Sequence, residues 1–258
     1  MRWSPHLALV TFVSEDHIDW HGSLPAYLAA KQNLVRFQTP ADLAVVSEEC
    51  PASLAFGQHT SAEVLPYGIA GRNPFDVGLI GRHNQLNAQG AFIVAERLGC
   101  TWDDAQVALR AFTPLPHRLE LVHESTGISW CNDSIATIPE AAVAAMDSFA
   151  PGTVVQIVGG SCKGLPFDVM AKALTQRAKA ILTIGKTGPT IAAMVRRHGG
   201  AAKLHECGDL PTAVATARRL ATPGDTVLLS PGCASYGEFP HFEARGEAFA
   251  KLARDVPL

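Results

Sequence analysis

The chain has no apolar run that approaches the roughly 20 residues needed to cross a lipid bilayer, and no cysteine pair with the C-x-x-C spacing of a structural zinc site. Its six cysteines are scattered, which is typical of free thiols in a reducing compartment and predicts a cytoplasmic protein. An excess of positive charge is also missing, since 21 Lys and Arg stand against 24 Asp and Glu. We therefore expect neither membrane insertion nor nucleic acid as a partner, because no positive field would hold a polyanion.

The composition is that of a folded protein with one large or two modest domains. The 258 residues are 47% hydrophobic and include 22 Gly and 17 Pro, so the chain can bury a core and still turn often. Pro5 and His6 interrupt the first apolar stretch and no small-residue cleavage site follows, which is not the pattern of a signal peptide. A buried-looking strand begins abruptly at Leu7, so we expect an amino-terminal segment of the fold to be absent.

The first half of the chain mixes strand and helix patterns. In order, the sequence predicts a strand at 7–13, a helix at 24–38 that carries Lys31, a strand at 42–47, short strands and turns over 51–82, helices at 87–99 and 102–112, and a linker at 113–122.

The second half repeats a β-branched run, a Gly- or Ser-rich turn and a helix. This repeat predicts parallel strands with right-handed crossovers, because a hairpin cannot join parallel neighbours. The fold class is therefore α/β, with an open parallel sheet over 118–258. Ligands of such sheets lie beyond the carboxyl ends of the strands, where the chain places Lys163, Lys186 and Ser235.

The segment EDHIDWH is a candidate metal site. His17, Asp19 and His21 occupy alternate positions, which would put all three on one side of a strand. An alternative interpretation is a polar strand end that is capped by turn hydrogen bonds. Lys31 has a similar alternative, because a lysine on an apolar helix usually extends to solvent.

Polar side chains near the linker suit a nucleotide. Asn84 and Asn87 lie three residues apart at a helix start, and their amides could meet the mixed donor and acceptor edge of a purine; helix capping by either residue is the plain alternative. Arg118 could fork onto phosphate oxygens, or it could be an ordinary surface arginine.

Two loops of the second half are further candidates. CNDSIAT places Asp133 and Thr137 ahead of a helix that starts near Pro139, where Thr137 could instead act as the helix cap. GGSCKG combines glycines, backbone N–H groups and a cation, which together favour an anion. GKT at 185–187 is not a P-loop, because Ala180 stands where that motif requires glycine. No G-x-S-x-G motif of a serine hydrolase surrounds any serine.

The chain carries, in this order, the motifs EDHIDWH, AYLAAK, GRHNQLNAQGA, PHRLE, NDSIATIPEA, GGSCKG and LLSPGCASYGEFPHFEARGEAF. Together these motifs resemble the Mur ligases through essentially the whole chain, and most of all the members that add D-glutamate. The resemblance implies that 1–117 is the carboxyl-terminal part of the central ATP-binding domain. It implies that 118–258 is the Rossmann-like carboxyl-terminal domain for the incoming amino acid. The UDP-sugar domain and the P-loop half of the central domain are not in this chain, which could be a fragment, half of a split gene or a late start.

The resemblance also implies an activity, namely the ATP- and Mg²⁺-dependent joining of glutamate to UDP-N-acetylmuramoyl-L-alanine. His17 would bind the magnesium ion, supported by Lys31 in carbamylated form. Asn84 and Asn87 would contact ATP near its base, while Arg118 and Asp133 would hold phosphate and ribose. The residues that would hold glutamate are Thr137, Lys163, Ser235, Tyr236 and Phe242.

One position departs from the family pattern. Ile135 stands where the D-glutamate ligases are expected to have lysine, so Lys186 or another group replaces that cation, or the preferred amino acid differs. Three interpretations stay open: a ligase portion that acts once a separate chain or an upstream extension supplies the missing half, a non-catalytic module that binds nucleotide and amino acid, and a metal-dependent hydrolase built on EDHIDWH.

Overall fold

The computed structural model describes residues 3–15, 18–161 and 165–255. The chain divides into two compact units, Met1–Thr113 and Pro114–Leu258, which we call the first and the second unit. His17 and Lys163 lie outside the described residues.

The first unit is built on a three-stranded parallel sheet in the order β1-β2-β3. Its elements are β1 (Leu7–Val10), α1 (Ile18–His21), α2 (Leu24–Gln32), β2 (Leu43–Ser47), α3 (Pro51–Ala55), a 3₁₀ turn (Phe56–His59), β3 (Glu63–Tyr67), α4 (Arg82–Arg97) and α5 (Trp102–Arg110). Every residue of β2 is buried, because helices cover both faces of this central strand. Phe56 belongs to the core on one face, and Tyr67 and Ile93 belong to the core on the other.

The second unit has a six-stranded sheet in the order β4-β5-β9-β6-β7-β8. The strands are β4 (Glu120–Ser125), β5 (Ile128–Asn132), β6 (Val154–Gly159), β7 (Ala180–Ile184), β8 (Leu204–Gly208) and β9 (Thr226–Leu229). Strands β5 to β9 are parallel, whereas β4 pairs with β5 in antiparallel orientation. The carboxyl ends of β5, β6, β7, β8 and β9 therefore meet at one side of the sheet, which we call the carboxyl edge.

Helices cover both faces of this sheet. They are α6 (Pro139–Met146), α7 (Asp168–Arg177), α8 (Gly188–Arg197), α9 (Leu210–Leu220) and α10 (Phe242–Arg254). Val158 and Leu174 belong to the core on one face, and Ile157 and Phe249 belong to the core on the other. Successive residues of β6, such as Ile157 and Val158, thus face opposite layers, as the two-residue period of a strand requires.

Several expectations from the sequence are corrected here. The sheet of the second unit is mixed, because β4, which begins in the last residues of the predicted linker, runs antiparallel to β5. Strand β8 and helix α9 were not predicted, and the stretch 51–82 contains the helix α3. Helix α2 ends at Gln32, strand β1 ends at Val10 and helix α4 begins at Arg82. In the part of the chain that is described, no helix is both long enough and apolar enough to cross a bilayer.

Candidate functional site

The loops at the carboxyl edge of the second unit are hydrogen-bonded to one another. The Ser161 amide donates to the Ala234 carbonyl at 2.8 Å, and the Gly232 amide donates to the Ala136 carbonyl at 2.9 Å. The loops that follow β5, β6 and β9 therefore form one connected surface. We call residues 133–137 the β5 loop and residues 230–238 the β9 loop.

The glycines at the carboxyl end of β6 are required for the packing of these loops, and their N–H groups do not face an anion. The amides of Gly159, Gly160 and Ser161 donate to Pro231, Thr187 and Ala234 respectively. A Cβ atom on Gly159 would lie 2.1 Å from the Ile184 carbonyl oxygen, so glycine is required for this close approach. The expectation that these N–H groups are free to bind an anion is wrong for the residues up to Ser161.

Asp133 is a buried carboxyl group at the start of the β5 loop. Its Oδ2 accepts a hydrogen bond from the Ser230 hydroxyl at 2.7 Å, and its Oδ1 accepts one from the Leu119 amide at 3.2 Å. Burial raises the pKa of Asp133 to about 6, although these two bonds and the charge of Arg118 act in the opposite direction. Asp133 therefore connects three segments: the carboxyl end of β5, the carboxyl end of β9 and the residues just before β4.

The candidates for the amino-acid side lie around the β5 and β9 loops. Thr137 is half-buried and lines a small cleft together with Ser161, Phe167 and Cys233. Thr137 does not cap helix α6, whose N-cap is Ile138. Ser235 is buried, whereas the adjacent Tyr236 is 65% exposed and can meet a ligand from solvent.

Phe242 begins helix α10 and contacts a histidine that the sequence did not single out. The His117 ring packs edge-on against Phe242, with the ring centroids 6.0 Å apart. Asn132 accepts the Ser134 amide through Oδ1, so its Nδ2 donates to Nδ1 of His117 at 2.8 Å. This pairing assigns the imidazole proton to Nε2. The neighbouring Arg118 is exposed, as a phosphate ligand requires.

Arg245 is another residue that the sequence reasoning missed as a site residue. It is only 1% exposed, and it donates to the Ser134 hydroxyl and carbonyl oxygens and to the Cys233 carbonyl oxygen. Burial lowers its pKa to about 10. A signal was available, because Arg245 lies four residues before the buried Phe249 and so shares the core-facing side of helix α10.

In the first unit, the two asparagines lie in helix α4. Asn84 is buried and donates from Nδ2 to the Ile80 carbonyl at 2.8 Å, whereas Asn87 is exposed. Neither residue is the N-cap of α4, which is Gly81.

The first residue of α4 is also held in place. Arg82 forms an ion pair with Glu49, and the Arg82 guanidinium holds the pKa of the Glu49 carboxyl below its usual value.

The proposed metal ligands are placed only in part. Residues 18–21 form the short helix α1, so the strand geometry expected to align Asp19 and His21 is wrong. Lys31 is exposed, and its ammonium nitrogen lies 5.0 Å from the centre of the Tyr27 ring. Over the described ranges, no group of three or more His, Cys, Asp or Glu side chains could hold a metal ion. An ammonium group is no ligand for Mg²⁺, which takes oxygen, so Lys31 fits this role only in carbamylated form.

Solved structures share this fold. MurF from Acinetobacter baumannii matches with a TM-score of 0.71 at 15% identity, over 97% of this chain and 60% of that protein. A folylpolyglutamate synthase from Mycobacterium tuberculosis matches with a TM-score of 0.70 at 19% identity, over 98% of this chain and 64% of that protein. This chain therefore has the α/β fold of these two proteins.

Sequence comparison narrows the class. The model of the Mur ligase middle domain matches residues 1–75, and that of the Mur ligase glutamate ligase domain matches residues 117–233. A UDP-N-acetylmuramoylalanine--D-glutamate ligase from Symbiobacterium thermophilum is 36% identical, over 96% of this chain and 60% of that relative. One of the same name from Anaeromyxobacter dehalogenans is 37% identical, over 98% of this chain and 62% of that relative. The chain belongs to the Mur ligase family, and it spans about three fifths of these relatives.

Proposed function

We propose that this chain is part of an ATP-dependent ligase that joins D-glutamate to UDP-N-acetylmuramoyl-L-alanine in the synthesis of peptidoglycan precursors. The observation that carries the proposal is the alignment of nearly the whole chain with relatives named for this activity. We assign residues 1–117 to the carboxyl-terminal part of the central ATP-binding domain and residues 118–258 to the amino-acid domain.

The proposed reaction has two steps. An oxygen of the L-alanine carboxylate attacks the γ-phosphorus of ATP, and ADP leaves. The glutamate nitrogen then attacks the carbonyl carbon of the acyl phosphate, inorganic phosphate leaves and the nitrogen gives up a proton. Both steps depend on positive groups that stabilise the charge on the phosphoryl oxygens. Arg118 is proposed for that role because its guanidinium is exposed.

On the nucleotide side, we propose that Asn84 and Asn87 contact ATP near its base and that Asp133 accepts hydrogen bonds from the ribose. Asn84 uses its Nδ2 for the Ile80 carbonyl, so ATP would meet its amide oxygen. Asp133 would give up at least part of its bonding to Ser230 or Leu119 when ribose binds.

Magnesium is proposed to accompany ATP, where it would neutralise phosphate charge. His17 and Lys31 are the proposed residues on the metal side. Because Lys31 is exposed, dissolved carbon dioxide can reach its amine. The unprotonated nitrogen would bond to the carbon of carbon dioxide and release a proton, which leaves a carbamate. The carbamate carries the anionic oxygens that Mg²⁺ prefers.

On the amino-acid side, we propose that Thr137, Lys163, Ser235, Tyr236 and Phe242 hold D-glutamate. A lysine and hydroxyl groups match the two carboxylates of this substrate. We further propose that the reaction takes place in the cytoplasm, where ATP is available, and that any missing half of the ligase is supplied by a separate chain or an upstream extension.

Titration of the full chain with D-glutamate tests the substrate assignment. We expect NMR shifts of the Thr137 methyl group and of the Ser235 and Phe242 amides, with smaller shifts for L-glutamate. The Lys163→Ala variant should bind more weakly by about 1.5–3 kcal/mol, the range for hydrogen bonds to charged groups.

A matched control is Lys251→Arg, which changes an exposed lysine on α10. It should leave the titration unchanged. Equal affinities for both enantiomers, or an affinity for D-glutamate that is unchanged in Lys163→Ala, would refute the assignment of D-glutamate to this site.

A further inference from the structure

Arg245 occupies a core-facing position, where an apolar side chain would be expected. It lies on the buried side of helix α10 and is only 1% exposed. In the part of the chain that the structure describes, no carboxylate forms an ion pair with it. The charge of Glu238 acts on Arg245, but without a direct ion pair. A buried arginine that is not paired with a carboxylate lowers stability relative to an apolar side chain of similar volume.

The guanidinium of Arg245 joins the β5 loop to the β9 loop. On the β5 side, Nε donates to the Ser134 hydroxyl and one terminal nitrogen donates to the Ser134 carbonyl, each at 2.9 Å. On the β9 side, the other terminal nitrogen donates to the Cys233 carbonyl at 3.0 Å. The planar fork fixes both loops relative to a single rigid group.

The two connected loops carry different ligand candidates. Ser134 directly follows Asp133, the proposed ribose residue, and its hydroxyl also donates to the Phe242 carbonyl at 2.8 Å. Cys233 lies two residues before Ser235, a proposed glutamate residue. The loops are also joined by the bond of Ser230 to Asp133 at the strand ends and by that of the Gly232 amide to the Ala136 carbonyl within the loops. Arg245 adds to these a single side chain that bonds to both loops.

We propose that Arg245 is a positioning residue that couples the nucleotide side of the site to the amino-acid side, so that the β5 and β9 loops order and loosen together. The functional meaning of the two sides rests on the proposed function, whereas the coupling itself is a property of the free protein.

Amide hydrogen exchange on the full chain tests the coupling without any ligand. The Ile135 amide, which donates to His117, reports on the β5 loop, and the Phe239 amide, which donates to Ser235, reports on the β9 loop. We expect Arg245→Lys to speed exchange at both amides by about tenfold, which corresponds to about 1.4 kcal/mol. Amides of the central strand β7 should keep their wild-type rates.

The control is Arg218→Lys. Arg218 is a half-buried arginine on helix α9, and it donates a hydrogen bond to the Leu252 carbonyl and not to the β5 or β9 loop. This variant should leave both reporter amides at wild-type rates. If Arg245→Lys speeds only one reporter, or if Arg218→Lys speeds both equally, the coupling is refuted.

If Arg245→Lys fails to fold, Ser134→Ala decides the question, since it removes the hydroxyl that accepts from Arg245. The Phe239 amide should then exchange faster even though the change is in the β5 loop, and an unchanged rate refutes the proposal. A glutamate titration of the wild type keeps the two ideas apart. Absence of binding counts against the proposed substrate, whereas the exchange rates alone decide the coupling.

Discussion

Asp133 makes the stability of the second unit depend on pH in an unusual direction. Its pKa is raised by burial from 3.8 to about 6, whereas most carboxyl groups in folded proteins are stabilised in the charged form. Below pH 3.8 the group is protonated in both the folded and the unfolded chain. As pH rises through about 6, the folded state must ionise a buried group, so stability falls.

The size of the effect follows from the shift. A difference of about two pKa units at about 1.36 kcal/mol per unit corresponds to roughly 3 kcal/mol lost between about pH 4 and pH 7. The Asp133→Asn variant has no ionisable group at this position. The free energy of unfolding of the wild type minus that of the variant should therefore fall by roughly 3 kcal/mol over this range.

The assay is urea unfolding of the full chain labelled with 5-fluorotryptophan. Trp130 lies in β5 and is only 2% exposed, so its fluorine resonance reports on the second unit separately from the other tryptophans. Assignment comes from Trp130→Phe.

Asp225→Asn is the matched control, because Asp225 is also a buried aspartate of this unit. Burial raises its pKa, but the Lys179 ammonium and Thr222 outweigh burial, so that the net pKa is lowered. The stability that the ionised Asp225 gives to the folded state is lost only as pH falls through and below 3.8. Relative to this variant, the wild type should lose no stability between about pH 4 and pH 7. If the difference in unfolding free energy between the wild type and Asp133→Asn does not change with pH, the argument that burial raises the pKa of Asp133 is refuted.

Two further predictions concern other parts of the chain. Gly159→Ala should lower the free energy of unfolding of the second unit by about 3 kcal/mol in urea, because its Cβ would meet the Ile184 carbonyl. Gly152→Ala, with a positive φ but open space around its Cβ, should cost only about 1 kcal/mol, and equal losses would contradict the steric explanation. Other exposed lysines can also form carbamates in ¹³C-bicarbonate at alkaline pH, so we expect one carbamate carbon resonance that disappears in Lys31→Arg and remains in Lys251→Arg. Identical carbamate resonances in the wild type and in Lys31→Arg would contradict the assignment.

The sequence predicts those strands that are buried on both faces. The segment LAVVS forms β2 as expected, because a strand covered by helices on both sides must be apolar throughout. The edge strand β8, LHECG, is only half-buried and has two consecutive polar residues, so neither an apolar run nor a regular alternation marked it. The hairpin of β4 and β5 turns at Thr126 and Gly127, both with positive φ. Threonine is uncommon in that conformation, so the sequence did not predict a hairpin turn there.

The site is predictable to the level of the sheet edge and no further. Parallel strands place Asp133, Thr137 and Ser235 at the same edge, and that placement follows from topology alone. Their partners do not follow, because the Ser230 hydroxyl that bonds Asp133 is 97 residues away along the chain. The fork of Arg245 onto Ser134 spans 111 residues. Spacing along a sequence carries no information on such pairs.

The position of β9 between β5 and β6 has a consequence for the way the second unit forms. During synthesis, β5 and β6 emerge well before residues 226–229. They are not neighbours in the native sheet, because β9 lies between them and pairs with both. Both strands leave backbone groups unpaired until β9 arrives, and contacts this distant in sequence slow folding. A nascent chain released before β9 thus lacks the middle of its sheet, and not merely its last strand.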